Sequence, residues 1–212
     1  MAPVIRELKR YPDCFEVRIC VTAQHREMLD QVLNLFSIQP DIDLNLMEPD
    51  QALSELTSRV ITTMTRVLEQ EQPDWVLIQG DTTTVMATAL AAFYLRIPVG
   101  HVEAGLRTRD RYNPFPEEIN RRLVGVLATY HFAPTQTAKK ALLAEGVPSD
   151  SIIVTGNTVV DALYWILGQP PSEQSRQIFA ELGLLGNKDC KIILVTAHRR
   201  ESFGLRFESL CR

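Results

Sequence analysis

Short apolar runs alternate along the chain with longer stretches whose apolar residues recur every three or four positions. The first pattern marks strands and the second amphipathic helices. It predicts strands over 15–21, 42–46, 75–79, 98–102, 130–133 and 152–155. Between them it predicts helices over 25–36, 51–71, 82–95, 116–128, 135–145 and 158–167. In the first of these, Met28, Leu29, Val32, Leu35 and Phe36 share one face. The helix over 51–71 ends near Pro73, and Pro116 takes the first position of its helix, where the missing N–H would be unsatisfied anyway. Strict alternation of this kind predicts an α/β fold on a mostly parallel sheet with right-handed crossovers.

The pattern breaks at Gly168-Gln169-Pro170-Pro171-Ser172, a linker candidate. It separates a first domain, 1–168, from 169–212, the linker and the start of an incomplete second domain. Beyond the break come a polar helix over 172–182, a buried strand over 191–196 (KIILVT) and a helical stretch over 199–212. One strand and two helices cannot bury a core alone. At the other end the chain opens in a helix, with Val4, Ile5 and Leu8 apolar and Pro3 in its first turn. In a doubly wound fold such a helix follows a strand, so the first strand of the first domain is expected to be missing.

Composition changes this picture little. With 212 residues, 45% hydrophobic and 23% charged, the chain is globular in type. A net charge of −4 gives no electrostatic reason to expect nucleic acid or an anionic membrane as partner. Cys14, Cys20, Cys190 and Cys211 are scattered without a C-x-x-C pair, which reads as thiols of a reducing cytoplasm rather than disulfides or zinc ligands. No apolar run reaches the length of a membrane span, and the start lacks the basic and apolar regions of a signal peptide. Metal-ligand spacing, the G-x-G-x-x-G fingerprint and the Walker loop are all absent, so no metal or cofactor is expected.

Ligands of open α/β sheets bind beyond the carboxyl ends of the strands. Asp81 follows the strand over 75–79, Glu103 follows the strand over 98–102, and Glu117 stands at a helix start. Carboxylates gathered at one edge can be differentiated into an acid and a base. Taken singly, Asp81 also fits a helix N-cap, and Glu117 with Glu118 also suits a helix macrodipole. Glu103 interrupts an apolar strand end and is followed by Ala104-Gly105, where backbone could approach a ligand. His198 in Thr196-Ala197-His198-Arg199-Arg200 reads equally as a surface histidine or as a cationic phosphate contact. His101 and His131 lie inside strand patterns and read as structural. The Gln24-His25-Arg26-Glu27 turn reads first as a helix start and second as a ligand contact.

The blocks VTAQHREMLDQVL, IQGDTTTVMATALAAFY, VGHVEAGLRT, PFPEEINRRL, VTGNTVVDAL and VTAHRRESFG run in order along the chain. Together they resemble the non-hydrolysing UDP-N-acetylglucosamine 2-epimerases. The resemblance implies two Rossmann-like domains in the GT-B arrangement, with a nucleotide sugar in the cleft between them. It also implies a cytoplasmic homodimer that interconverts UDP-GlcNAc and UDP-ManNAc for cell-surface polysaccharide. By motif, Asp81, Glu103 and Glu117 match the family's active-site carboxylates, and His198 its nucleotide-contacting histidine; Asp81 and Glu103 are expected to contact substrate as well. Gln24, His25 and Glu27 match a motif that helps hold a second, regulatory UDP-GlcNAc in some bacterial members, which carry glutamine where Glu27 stands here. The family pattern begins with a strand and a GTRPEAIK segment ahead of its Met-Ala-Pro and continues through a full second domain, so this stretch alone is expected to have little activity. The implied chemistry is elimination of UDP through 2-acetamidoglucal and its re-addition. Two rival readings are a GT-B glycosyltransferase, which would need no three convergent carboxylates, and a non-catalytic remnant or dimerisation module.

Overall fold

The computed structural model describes residues 1–22, 26–46, 51–184, 191 and 193. The chain forms two compact units, Met1–Ile166 and Leu167–Arg212. The first carries α1 (Ala2–Leu8), β1 (Cys20–Val21), α2 (Arg26–Leu35), β2 (Ile42–Asp43), α3 (Leu53–Glu71), β3 (Val76–Gln79) and α4 (Thr83–Tyr94). It continues with β4 (Val99–Val102), α5 (Glu117–Leu127), β5 (Tyr130–Ala133), α6 (Gln136–Ala144), β6 (Ile152–Val154) and α7 (Thr158–Leu167). In the second unit α8 (Glu173–Glu181) starts at Ser172, whose Oγ accepts the Ser175 N–H at 3.1 Å. The predicted strand over 191–196 and helix over 199–212 lie outside the described residues.

The element order follows the periodicity, and every strand pair is parallel. Strands β3, β4, β5 and β6 lie side by side in chain order, while β1 and β2 form a separate pair. Adjacent residues of β1 face opposite layers. Cys20 packs against the cluster of Met64, Val67 and Leu68 of α3 and the α4 alanines, whereas Val21 packs against Ile19, Phe36 and Ile38, as do Ile5 of α1 and Trp165 of α7. On the first face α4 lies against both α3 and α5. Its alanines make this close approach possible: Ala87, Ala89, Ala91 and Ala92 are fully buried. On the second face the Trp165 ring stacks on Phe36 at 4.6 Å, and the Arg6 guanidinium lies 4.9 Å from its centroid.

Three expectations need correction. The strand predicted over 15–21 contracts to Cys20–Val21, and that over 42–46 to Ile42–Asp43. The face predicted for α2 is largely not core: Met28 and Val32 are 61% and 47% exposed, although Phe36 is buried. The exposure of the α2 face has a visible cause. Between β1 and β3 lies an apolar groove of about 620 Å³, lined by Cys20 and Val21, by all four residues of β3, and by Met28, Leu29 and Val32. Among the described residues β1 thus has a strand neighbour on one edge only, and Met28, Leu29 and Val32 of α2 face the groove.

The backbone of β3 shows what that edge offers. Val76 donates to Pro98 O and Gly80 to Val102 O, so alternate amides point to β4. By the alternation of a parallel ladder, the peptide groups of Leu77 and Gln79 point to the groove. Among the described residues no strand pairs with that edge of β3.

Candidate active site

The carboxyl ends of β3 and β4 lie level, with Gln79 opposite Val102. Asp81 and Glu103 therefore leave the sheet at the same edge. The start of α5 reaches this edge too. Asn120 Nδ2 donates to the Asp81 carbonyl at 2.9 Å, and Arg121 Nε donates to Asp81 Oδ2 at 2.8 Å. Glu117 opens α5 one turn ahead of Arg121, so its backbone stands at the same edge. All three candidate carboxylates gather at one edge of the sheet.

Their surroundings differ. Asp81 is not the N-cap of α4; that role belongs to Thr82, whose side chain accepts the Val85 N–H. Its carboxylate is instead gripped by Arg121 through two nitrogens, at 2.8 and 2.5 Å. Glu103 sits at φ 66°, a left-handed conformation that a side chain adopts only under constraint. Its Oε2 accepts from Gln79 Nε2 at 3.2 Å, and the same amide group reaches Thr158 Oγ1 at 3.2 Å. Glu117 carries a buried oxygen, Oε2, that takes no hydrogen bond from the described protein. A buried acceptor left without a partner costs about 1–3 kcal/mol, so it is a group the fold keeps at a penalty.

Glu118 is different again. It is only 1% exposed and holds the loop that leads into α5. Its carboxylate accepts the Thr108 and Arg109 N–H groups at 3.0 and 3.2 Å and Arg121 Nη1 at 3.2 Å. Burial works to raise this carboxyl. The Thr108 and Arg109 amides, with the Thr108 and Arg121 side chains, outweigh it and hold the carboxyl below its ordinary value of 4.5. Arg121 therefore bridges Asp81 and Glu118. Arg107 is committed elsewhere, making a two-pronged pair with Glu145 at 2.9 and 2.7 Å.

Gly105 does not open the backbone to a ligand as expected. A Cβ there would stand 2.4 Å from the Ala138 carbonyl oxygen, so this glycine permits α6 to pack close. His101 and His131 are buried register neighbours on β4 and β5. Burial pushes each down to about 4. His198, Gln24 and His25 lie outside the described residues, as does the side chain of Glu27. Sequence reasoning missed Gln79, Asn120 and Arg121. The spacing Glu117–Arg121 and Glu118–Arg121 on one helix was the available signal for the arginine. Among the described residues no cluster is arranged to hold a metal ion, and no helix is long and apolar enough to cross a membrane.

A model of the UDP-N-acetylglucosamine 2-epimerase family matches residues 6–212. The chain belongs to this family. The UDP-N-acetylglucosamine 2-epimerases of Salmonella typhimurium and of Escherichia coli K12 are each 56% identical over 100% of this chain, which covers 56% of either protein. Among solved structures, the Neisseria meningitidis UDP-GlcNAc 2-epimerase bound to UDP-GlcNAc matches with a TM-score of 0.88 and 53% identity, over 96% of this chain and 55% of that one. The Methanocaldococcus jannaschii UDP-GlcNAc 2-epimerase in complex with UDP-GlcNAc and UDP matches with a TM-score of 0.75 and 38% identity, over 85% of this chain and 49% of that one. These structures have a GT-B-like fold, and the chain spans about half the length of the relatives it matches.

Glu118 gives a stability test. Replacing it by glutamine removes the charge behind three hydrogen bonds and costs about 1.5–3 kcal/mol near pH 7. Because its folded pKa is depressed, its contribution is complete above the unfolded pKa and is lost as pH falls through the folded one. Urea unfolding of the parent and of Glu118→Gln is therefore expected to differ at pH 7 and to converge at acid pH. A gap that persists unchanged at acid pH contradicts this role.

Proposed function

We propose that the chain is the catalytic-carboxylate part of a UDP-GlcNAc 2-epimerase that interconverts UDP-GlcNAc and UDP-ManNAc. The observation that carries the reading is the convergence of Asp81, Glu103 and Glu117 on one sheet edge in three different environments. The chemistry requires this. A carboxylate takes the proton from C2 while the C1–O bond to UDP breaks, leaving the C1–C2 double bond of 2-acetamidoglucal. UDP then adds back to C1, and C2 is protonated from the other face. Glu117 offers an oxygen without a partner among the described residues, the property a proton acceptor needs. Asp81 and Glu103, oriented by Arg121 and Gln79, serve the remaining transfers and the sugar contacts. His198, with Arg199 and Arg200, would meet the diphosphate, and Gln24, His25 and Glu27 a regulatory nucleotide sugar. Residues 169–212 form the linker and the opening of a nucleotide-binding domain. The reading includes a cytoplasmic homodimer that supplies polysaccharide synthesis.

The experiment uses a chimera in which the flanking segments of the Escherichia coli relative are joined to both ends of this chain. Incubated with UDP-GlcNAc alone in deuterated water, it is expected to give UDP-ManNAc carrying deuterium at C2. Asp81→Asn, Glu103→Gln and Glu117→Gln are each expected to lower kcat by about 10²–10⁴-fold. Transfer to an added acceptor without epimerisation would favour the glycosyltransferase reading. Full turnover by any one variant would remove that residue from the chemistry.

The groove beside β3 belongs to the same reading. The groove runs along all four residues of β3, about 13 Å at ~3.3 Å per residue, the length of a short strand. Met1 lines the groove and its amino group donates to Gln79 Oε1, at the carboxyl end of β3. A strand leading into α1 would therefore run parallel to β3 and make α1 a right-handed crossover to β1. Adding a six-residue apolar strand and a short polar link ahead of Met1 is expected to slow hydrogen exchange of the Leu77 and Gln79 amides and to raise Tm. A control extension with proline in the strand is expected to do neither. If both extensions behave alike, the groove is not a strand site.

A further inference from the structure

His101 stands outside the three carboxylates, yet its side chain meets the turn that carries one of them. The ladder between β3 and β4 ends at Gly80, whose N–H bonds Val102 O at 3.2 Å. The next rung would need the Ala104 N–H, but that group bonds Phe132 O on the far side at 3.1 Å. The Gly80 carbonyl is thus left without its ladder donor, and His101 Nε2 lies 2.8 Å from it. A carbonyl oxygen only accepts, so Nε2 carries the proton. Nδ1 is then a bare lone pair, buried and without a hydrogen-bond partner among the described residues. A carbon side chain would avoid that penalty, so the fold keeps an unpaired nitrogen to obtain one bond to Gly80.

Gly80 turns the chain at φ 87° directly into Asp81. The following carbonyl, that of Asp81, accepts Asn120 Nδ2 at 2.9 Å. Two successive peptide oxygens are therefore held by side chains from different elements, and the Asp81 carboxylate by a third, Arg121. We propose that His101 is a positioning residue for Asp81: as the neutral Nε2–H tautomer it fixes the Gly80 peptide and so aims Asp81 at the catalytic edge. Its role in turnover rests on the active-site reading above; its hold on the turn does not.

The neutral form is secured by the surroundings. Burial is the main force lowering His101 to about 4, the bond to Gly80 and the Asp81 charge oppose it, and Arg107 assists. His131, its register neighbour, is lowered as well, chiefly by burial and then by His101 and Arg107. The imidazole is therefore a fixed donor across the working pH range, which separates this role from that of a proton shuttle.

The test compares the parent chain with His101→Leu and His101→Gln by NMR. In the parent, the His101 ring is expected to show the Nε2–H tautomer from pH 8 down to about 5. In His101→Leu, exchange of the Gly80 amide and the Asn120 side-chain amide is expected to speed up about 10-fold, with Val60 and Met64 of α3 unchanged. The glutamine variant, whose amide nitrogen can reach the same carbonyl, is expected to return both to within about 3-fold of the parent. In the chimera, His101→Leu is expected to lower kcat about 10–100-fold with little change in KM, and glutamine to recover part of it. An Nδ1–H or cationic ring at pH 7 overturns the proposal, as does unchanged exchange at Gly80 and Asn120. Equal acceleration of all amides, including those of α3, reduces His101 to an ordinary core residue. If the unmodified chimera converts no UDP-GlcNAc, the proposed function fails, while the exchange data still decide whether His101 holds the turn. If the chimera is active and His101→Leu keeps parental kcat, the positioning role in the reaction is refuted.

Discussion

Arg121 joins the end of a strand to the start of a helix. Its guanidinium binds the Asp81 carboxylate beyond β3 and the Glu118 carboxylate in the first turn of α5. With the Asn120 bond to the Asp81 carbonyl, that bridge brings the start of α5 to Asp81, from which it is separated by a helix, a strand and a long loop. The arginine side chain is only 15% exposed, so the pair works at a lower effective dielectric than a surface ion pair and is screened less by salt. A planar guanidinium can serve two carboxylates at once in a fixed fork, which a lysine could not. Glu118, through the Thr108 and Arg109 amides, extends the same clamp to the loop leading from β4.

The clamp also explains how three acidic groups occupy one edge without being equivalent. Asp81 has a cation, Glu103 has a neutral amide donor, and Glu117 keeps an oxygen with no partner among the described residues. Like charges in one place would otherwise destabilise the fold. A fourth, Glu118, is turned away from this role and used as an anchor, although its neighbour in the sequence differs by only one position.

The order of elements was legible because the apolar period changes cleanly between strand and helix. Helix α7 matches its expected limits, and α6 and α8 start at Thr135 and Ser172, whose side chains cap them. The strand-end rule located Asp81 and Glu103 without knowledge of any family. What was not legible is what depends on distant partners. The exposure of Met28 and Val32 follows from the groove beside β3, which no local pattern records. Gly105 read as an opening for a ligand because a glycine two positions after Glu103 lets backbone come close; the Ala138 carbonyl that explains it lies more than thirty positions away. Arg121 was not singled out, since its partner Asp81 is forty positions earlier.

The central claim is that Arg121 couples the two elements bearing the carboxylates, and a double-mutant cycle on stability tests it directly. Unfolding free energies of the parent, Asp81→Asn, Arg121→Gln and the double variant give the coupling. A bridge of this kind is expected to yield about 1–3 kcal/mol between the two sites. Losses that add to within about 0.5 kcal/mol would mean that β3 and α5 are held together by something else, and the account of the site would fail.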